Sequence, residues 1–409
     1  MTIGSFSNGS EPHGGLDVAY TGTGKTLFWL ALRTLFLTFL TLGFYRFWMK
    51  ARLRRFYWSS IRVGGQPLEF TGTGLEMLLG FLIAVVFLAI YLGVLNLLLT
   101  FAGMALFQTG AFNISFIAVI PLIYYAGYRA RRYLLSRTRW RGIRFGMERG
   151  AVDYLIRALG YSVLAVVSLG FLVPLMDFRL RKFAVDRSWY GDLRFTQGGT
   201  WTGFLRPWLW VYAAIAIVAL GTVGAFVFEN PIMGVVIFIG YIAVIIAGVH
   251  YSVATMRYAI GTTRLGEGVR FSSTVSTGRI IGIYVVGSLL VSIIMSGVLL
   301  VLVAVTAGLA NAFGVLGEVS QMFQTVLAGR SSNSMAYLGI GLIAIMYILG
   351  TLIFLALNEV FLAQPVLQHY VETVVLHNAV ELDAVLQRAH DKMAEAEGFA
   401  DALDVGAAF

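Results

Sequence analysis

A few polar side chains interrupt the long apolar stretches of this sequence, and they are the residues that could act on a ligand within a membrane. A polar or ionisable group in lipid is costly and commonly marks a pathway or a binding site. These candidates are Asn96, His250, Tyr251, Asn358 and Glu359. They offer hydrogen bonding and proton exchange, but no apolar stretch holds the chain of carboxylates typical of a proton-driven pump. His250 and Glu359 lie near the ends of their stretches, where reaching the interface is the plainer interpretation.

A second set of candidates is basic and interleaved with aromatic residues. We expect these side chains to contact anionic phospholipid headgroups, since cations and aromatic rings together favour the membrane interface. The set comprises Arg52, Arg54, Arg55, Arg179, Arg181 and Lys182. Stacking on nucleic-acid bases is the alternative for such a run, but the interfacial-helix interpretation is favoured. Nucleic acid is therefore not an expected partner.

The motifs of common enzymes and cofactor sites are missing. The chain has no cysteine, which excludes disulfides and thiolate metal sites, and its five histidines are scattered. The run Gly22-Thr23-Gly24-Lys25-Thr26 resembles the end of a P-loop, but Ala19 stands where that motif needs its first glycine. H-E-x-x-H and G-x-S-x-G do not occur. We predict no enzyme activity, no metal site and no cofactor.

Composition places the chain in a membrane. Of its 409 residues 58% are hydrophobic and 12% are charged, whereas a soluble domain carries about 25% charged residues. About 20 apolar residues cross the hydrocarbon core as a helix. Six segments are predicted to do so, and 27–48 and 154–176 are ambiguous. The six are 77–100, 113–128, 207–228, 232–256, 280–308 and 337–363.

Basic loops predict the topology. The loops 49–74, 129–153, 177–204 and 256–279 carry most of the arginines and should lie in the cytoplasm, together with both termini. Only 154–176 separates two of these loops, so it should not cross the bilayer. We expect 154–176 to be re-entrant or interfacial instead, with Pro174 near its end supplying the bend.

An internal repeat supports this interpretation. T-L-G-F at 41–44 and R-L-R-R-F at 52–56 recur as S-L-G-F at 168–171 and R-L-R-K-F at 179–183, offset by 127 residues. By analogy 27–48 should also be re-entrant or interfacial. The predicted domains are a polar N-terminal segment with one short strand, two repeats, a third transmembrane helix pair and a cytoplasmic C-terminal hairpin, helix and tail. Their respective ranges are 1–26, 27–150, 151–273, 274–365 and 366–409.

Short strand patterns follow each basic stretch. Residues 58–72, 137–146, 186–196 and 263–272 predict hairpins, 17–22 resembles an unpaired strand, and 373–383 predicts a further hairpin. Such hairpins could pair with one another or cap the helix ends. The predicted fold class is mainly α: a polytopic transmembrane helical bundle with short cytoplasmic β-hairpins and a tandem internal repeat.

The run T-L-G-F-Y-R-F-W-M-K-A-R-L-R-R-F, the W-S-S-I-R-V-G-G hairpin and the ending E-G-F-A-D-A-L-D-V-G-A-A-F resemble the YjgN-like family of bacterial inner-membrane proteins. The family usually has Pro-Trp where this chain has Phe47-Trp48. The resemblance implies a multi-pass protein of the bacterial inner membrane, and no catalytic residues. It also implies a membrane zinc metallopeptidase as a partner.

Two functions are compatible with these features. A transporter or channel-like protein for an unidentified solute or lipid is favoured by the repeat, the re-entrant segments and the few polar residues in the spans. A non-enzymatic scaffold or accessory protein for a membrane partner such as the metallopeptidase is the alternative. A lipid enzyme would need convergent ionisable residues at the interface.

Overall fold

The computed structural model describes residues 15–101, 111–230, 232–312 and 334–388. Its ten strands form one closed, antiparallel barrel. In chain order, β1 to β10 are Leu16–Tyr20, Ile61–Val63, Gln66–Phe70, Thr138–Trp140, Ile143–Met147, Ser188–Tyr190, Leu193–Gln197, Thr263–Leu265, Val269–Ser273 and Val374–His377. The described residues do not include the two ends of the sequence, 1–14 and 389–409, or the central parts of the loops 101–112 and 309–336.

Ring closure depends on the first and last strands. Each strand from β1 to β9 pairs with the next, and β1 also pairs with β10 through Leu16 opposite Leu376. The predicted bundle with separate short hairpins is therefore wrong: four hairpins and two single strands share one barrel. Closure is favoured because lone hairpins are marginal in water and open edges leave backbone groups unpaired. The predicted hairpin at 373–383 is also wrong, since β10 is followed by a 3₁₀ helix, Ala379–Asp383.

The barrel encloses an apolar core. Along β1, Leu16, Val18 and Tyr20 are more buried than Asp17 and Ala19, as the two-residue period of a strand requires. The buried cluster draws on five strands and the segment after β10: Trp140, Tyr190, Leu265, Val269, Leu376, Ala379, Leu382 and Val385. With three to five residues each, these strands are too short for a membrane barrel, whose strands have about 9–11.

Helices occupy the connections between the hairpins. In chain order, α1 to α11 are Gly24–Leu40, Arg46–Ser60, Gly74–Phe101, Ala111–Ser136, Ala151–Val167, Val173–Val185, Thr202–Phe228, Ile232–Thr262, Thr277–Ala312, Ser334–Asn358 and Gln364–Glu372, with a π-helix at Glu359–Ala363. Helix α3 begins where Thr73 Oγ1 accepts from the Glu76 amide at 3.3 Å, as on the N-cap side of a capping box.

Five helical segments among the described residues are long and apolar enough to cross a membrane. They are Gly74–Leu98, Thr202–Phe228, Ile232–Thr262, Thr277–Gly308 and Ala344–Glu372. Five of the six predicted spans overlap them, and the sixth, 113–128, lies within α4. Exposed apolar side chains cover these helices; Phe226, for example, is 82% exposed. An apolar surface of this extent is stable in contact with lipid.

The two ambiguous segments are broken by the same turn. Leu42 and Gly43 have φ of 51° and 93°, and Leu169 and Gly170 have 51° and 90°. In each turn a hydroxyl at the end of the preceding helix, on Thr41 or Ser168, accepts a backbone N–H four residues later. Pro174 lies in the first turn of α6 and bends no helix. The repeat, its boundaries and the re-entrant assignment stay predictions.

The chain divides into two compact units. The barrel unit comprises Met1–Thr21, Lys50–Thr277 and His369–Phe409, and contains the barrel with α3 to α8. The second unit comprises Gly22–Met49 and Gly278–Gln368. Within it, Gln364 Nε2 donates to the Gly22 carbonyl at 3.0 Å, which joins α11 to the start of α1.

One end of the barrel carries the hairpin turns, and residues 378–388, here called the C-terminal strap, cross it. The Gly268 amide donates to Glu381 Oε2 at 3.1 Å, and the Leu386 amide donates to Asp192 Oδ1 at 3.1 Å. Arg141 forms an ion pair with Asp383 at 2.6 Å. The strap therefore touches the turns of three successive hairpins.

We expect Gly191→Ala to release the strap, with Gly142→Ala as the matched control. Both glycines have positive φ (56° and 76°), so either alanine costs about 1–2 kcal/mol. At Gly191 the added Cβ would also lie 2.6 Å from the Leu386 carbonyl oxygen, whereas at Gly142 it meets nothing within 4 Å. The overlap adds about 1–3 kcal/mol. Thermal unfolding and hydrogen exchange at Leu386 measure both effects, and equal losses in the two variants would contradict the contact.

Candidate functional site

A polar pocket of about 380 Å³ lies among α4 to α8 of the barrel unit. Its charged wall residues are Arg131 of α4 and Asp177 and Arg181 of α6. Tyrosines of α4 and α5, Phe204 of α7 and Thr255 of α8 complete the wall. Since α7 and α8 are both long and apolar enough to span a membrane, the pocket joins charged groups to membrane helices.

Helix α6 sets the positions of two charged groups. Asp177 and Arg181 are four residues apart, so they project from one face of the helix. Pro174 in the first turn is compatible with helix initiation, because its missing N–H would have no intrahelical partner there. Tyr251 of α8 donates its hydroxyl to Asp177 Oδ2 at 2.6 Å. This bond from a separate helix orients the carboxyl group.

The two arginines of the pocket form no ion pair among the residues that the structure describes. Arg131 makes no hydrogen bond or ion pair there, and its side chain is exposed in the pocket. Arg181 Nη2 reaches the sulfur of Met256 at 3.0 Å, a weak acceptor, while its buried Nε has no acceptor in the described chain. Guanidinium groups with free donors attract phosphate or carboxylate oxygens.

Burial shifts the protonation equilibria of α6. It raises the pKa of Asp177, although the hydrogen bond from Tyr251 and the charge of Arg181 oppose the rise. Burial also lowers the pKa of Arg181 to about 10, assisted by the charge of Arg131 and opposed by Asp177. Arg181 therefore stays cationic at neutral pH. Two guanidinium groups against one carboxyl leave the pocket with excess positive charge.

The predicted polar candidates are placed differently. Tyr251 contacts the pocket wall through Asp177. Asn96 and Asn358 donate to carbonyls of their own helices, those of Leu92 and Phe354. The other two have separate positions: His250 Nδ1 lies 3.2 Å from Thr277 Oγ1, and Glu359 begins the π-helix of the second unit.

The predicted headgroup contacts also separate. Arg181 lines the pocket, whereas Arg179, two residues earlier on α6, is exposed. Lys182 forms an ion pair with Asp186 at 3.0 Å and also bonds the Gln197 carbonyl. On α2, Arg52 is exposed, Arg54 lies over the Phe70 ring at 5.9 Å, and Arg55 donates to the Gly72 carbonyl at 2.9 Å.

Asp177 and Arg131 were missed as site residues. The repeat contained a signal for Asp177, because the position 127 residues earlier holds Lys50. A carboxylate replaces a cation there within an otherwise basic helix. Arg131 is one of eight arginines in 129–153, and no sequence feature distinguishes it from the others.

We expect Asp177→Asn to stabilise the protein increasingly as pH rises. Because the folded-state pKa of Asp177 is raised, the folded state favours the neutral acid, and ionisation at higher pH lowers the free energy of unfolding. The asparagine keeps an acceptor for Tyr251 but cannot ionise. Melting temperatures of both proteins from pH 4 to 8 test this, with exposed Asp17→Asn as control. A difference in melting temperature between the variant and the unmodified protein that widens towards low pH would contradict the expected direction.

Comparisons with known proteins place the chain in a family. The model of a family described as "Bacterial protein of unknown function (DUF898)" matches residues 15–402. Inner membrane protein YjgN of Salmonella typhimurium is 26% identical over 161 residues, which cover 37% of this chain and 38% of that relative. The match thus spans about two fifths of the relative's length, and no solved structure matches the chain. The YjgN-like resemblance is confirmed: the chain belongs to the DUF898 family and is an inner-membrane protein with apolar helices suited to span the bilayer.

Proposed function

We propose that the polar pocket binds the anionic headgroup of a membrane phospholipid, and that lipid handling is the role of this protein. The single observation that carries the proposal is that Arg131 and Arg181 share one pocket wall and that neither forms an ion pair in the described chain. A guanidinium group without a counterion in a confined site gains more from an anion than an exposed one does.

The chemistry of the pocket favours phosphate. The planar fork of a guanidinium group matches a phosphate group, and two such groups on α4 and α6 could contact one headgroup together. Asp177 works against an anion when it is ionised. Its raised pKa and its hydrogen bond from Tyr251 reduce this opposition. The headgroup should therefore bind more tightly as pH falls.

The surrounding helices favour a lipid over a free anion. Phe204 and Thr255 line the pocket and belong to α7 and α8, which are candidate membrane spans. Apolar side chains on these helices are exposed, including Leu209 and Ile245. A phospholipid would place its acyl chains along such a surface while its phosphate meets the arginines.

Arg181→Gln should weaken binding of phosphatidylglycerol, with Arg179→Gln as the matched control on the same helix. Losing one charge-assisted hydrogen bond costs about 1.5–3 kcal/mol, or about 10- to 100-fold in affinity. Arg179 is exposed, so Arg179→Gln should weaken the affinity for phosphatidylglycerol by less than about twofold. Native mass spectrometry with phosphatidylglycerol, phosphatidylcholine and inorganic phosphate as probes measures the change. Equal effects of the two variants would refute the site. Binding of inorganic phosphate as tight as that of phosphatidylglycerol would show that the pocket binds a free anion.

Transport of the bound lipid is the second candidate function, and the two candidate spans that contribute to the pocket wall, α7 and α8, favour it. Proteoliposomes with fluorescent phosphatidylglycerol would show transbilayer movement that Arg181→Gln slows and Arg179→Gln does not. Binding without movement would assign the protein a scaffolding role in lipid organisation.

A further inference from the structure

The interior of the barrel contains a second cavity, separate from the polar pocket. Its volume is about 320 Å³, and none of its lining side chains carries a formal charge at neutral pH. Val18, Phe145, Tyr190 and Phe271 belong to its strand walls, and Met256 and Ile260 of α8 lie at the end away from the hairpin turns. An apolar void of this size is costly when empty, because the lining atoms lack contacts on one side.

The strand number explains the space. An eight-stranded barrel is just wide enough for its side chains to fill it or to hold one small ligand, and diameter grows with strand number. This barrel has ten strands. Aromatic rings of β5, β6 and β7 pack along the wall: Phe145 lies 4.6 Å from Tyr190 in a tilted arrangement and 6.4 Å from Phe195 in a stacked one. Packing along the wall leaves the centre unfilled.

One unused hydrogen-bond donor belongs to the cavity lining. Trp140 is 3% exposed, and its indole N–H has no acceptor among the described residues. The neighbouring Tyr190 hydroxyl is satisfied, since it donates to the Trp140 carbonyl at 3.1 Å. A buried donor without a partner is destabilising, so an acceptor supplied by a ligand would be favoured.

We propose that the barrel cavity binds a neutral acyl compound whose carbonyl oxygen accepts from Trp140 Nε1. An apolar cavity of about 150 Å³ holds benzene, so this one has room for roughly ten to twelve carbon atoms. An ionised carboxylate is excluded because no charged group lines the cavity. The ligand is therefore an ester or amide of a medium-length chain, or such an acyl chain of a lipid.

The C-terminal strap controls access in this proposal. Leu382 of the strap lines the cavity, while its neighbours Glu381 and Asp383 bond to the hairpin turns around it. Exchange of the ligand through this end requires those polar contacts to open. Once bound, the apolar ligand would leave the polar contacts between the strap and the hairpin turns intact.

The test uses the full chain in lipid nanodiscs and a photoreactive methyl ester of a ten-carbon acid. Val18→Phe narrows the cavity, and Ala19→Phe is its matched control, since Ala19 is exposed on the opposite face of the same strand. We expect Val18→Phe to weaken labelling of barrel peptides and Ala19→Phe to keep it. Unlabelled methyl decanoate should compete. Trp140→Phe, which keeps an aromatic ring but removes the N–H, should weaken competition about fivefold.

Other outcomes are decisive as well. Equal labelling of the Val18 and Ala19 variants, or labelling confined to the membrane helices, would overturn the proposal. If Val18→Phe does not fold, Leu68→Trp on β3 narrows the same cavity and gives the same test. A phospholipid with the same photoreactive chain distinguishes the source: barrel labelling by both probes assigns a lipid acyl chain, and labelling by the ester alone assigns a free acyl compound.

Discussion

Hydrogen bonding along the strand edges is the constraint on which the barrel unit depends. Strands of three to five residues gain little from any single pairing, and an open sheet of them would leave backbone donors and acceptors unpaired at both edges. Closure removes both edges at once. It requires β1 and β10, from opposite ends of the described chain, to meet beside each other, so these two single strands are as important to the sheet as its hairpins.

This pairing order also arranges the helices of the barrel unit. The turns of the hairpins all lie at one end of the barrel, so the helix pairs α3–α4, α5–α6 and α7–α8 leave from the other end. That arrangement brings α4, α6 and α8 together although long stretches of chain separate them. Arg131, Asp177 and Tyr251 meet only as a result of it, and the polar pocket follows from barrel closure.

The polar pocket and the apolar cavity of the barrel unit adjoin at Met256. Met256 lines the apolar cavity, and its sulfur accepts from Arg181 of the polar pocket. Thioether sulfur is polarisable and adaptable, so it suits a boundary between apolar and charged surroundings. A charged compartment beside an uncharged one matches the chemistry of an amphiphile, which links the proposed headgroup site to the proposed acyl site.

Membrane placement and the positions of the elements follow from the sequence alone, because they depend on local properties. Apolar runs of sufficient length predicted the spans, and alternation with glycine turns located the four hairpins. The tertiary structure alone decided that these hairpins close into a ring, since antiparallel pairing between distant strands leaves no local signal. It likewise separated Arg181 from Arg179, which look alike in the sequence. The difference is the direction in which each projects from α6, and that matters only once the neighbouring helices are in place.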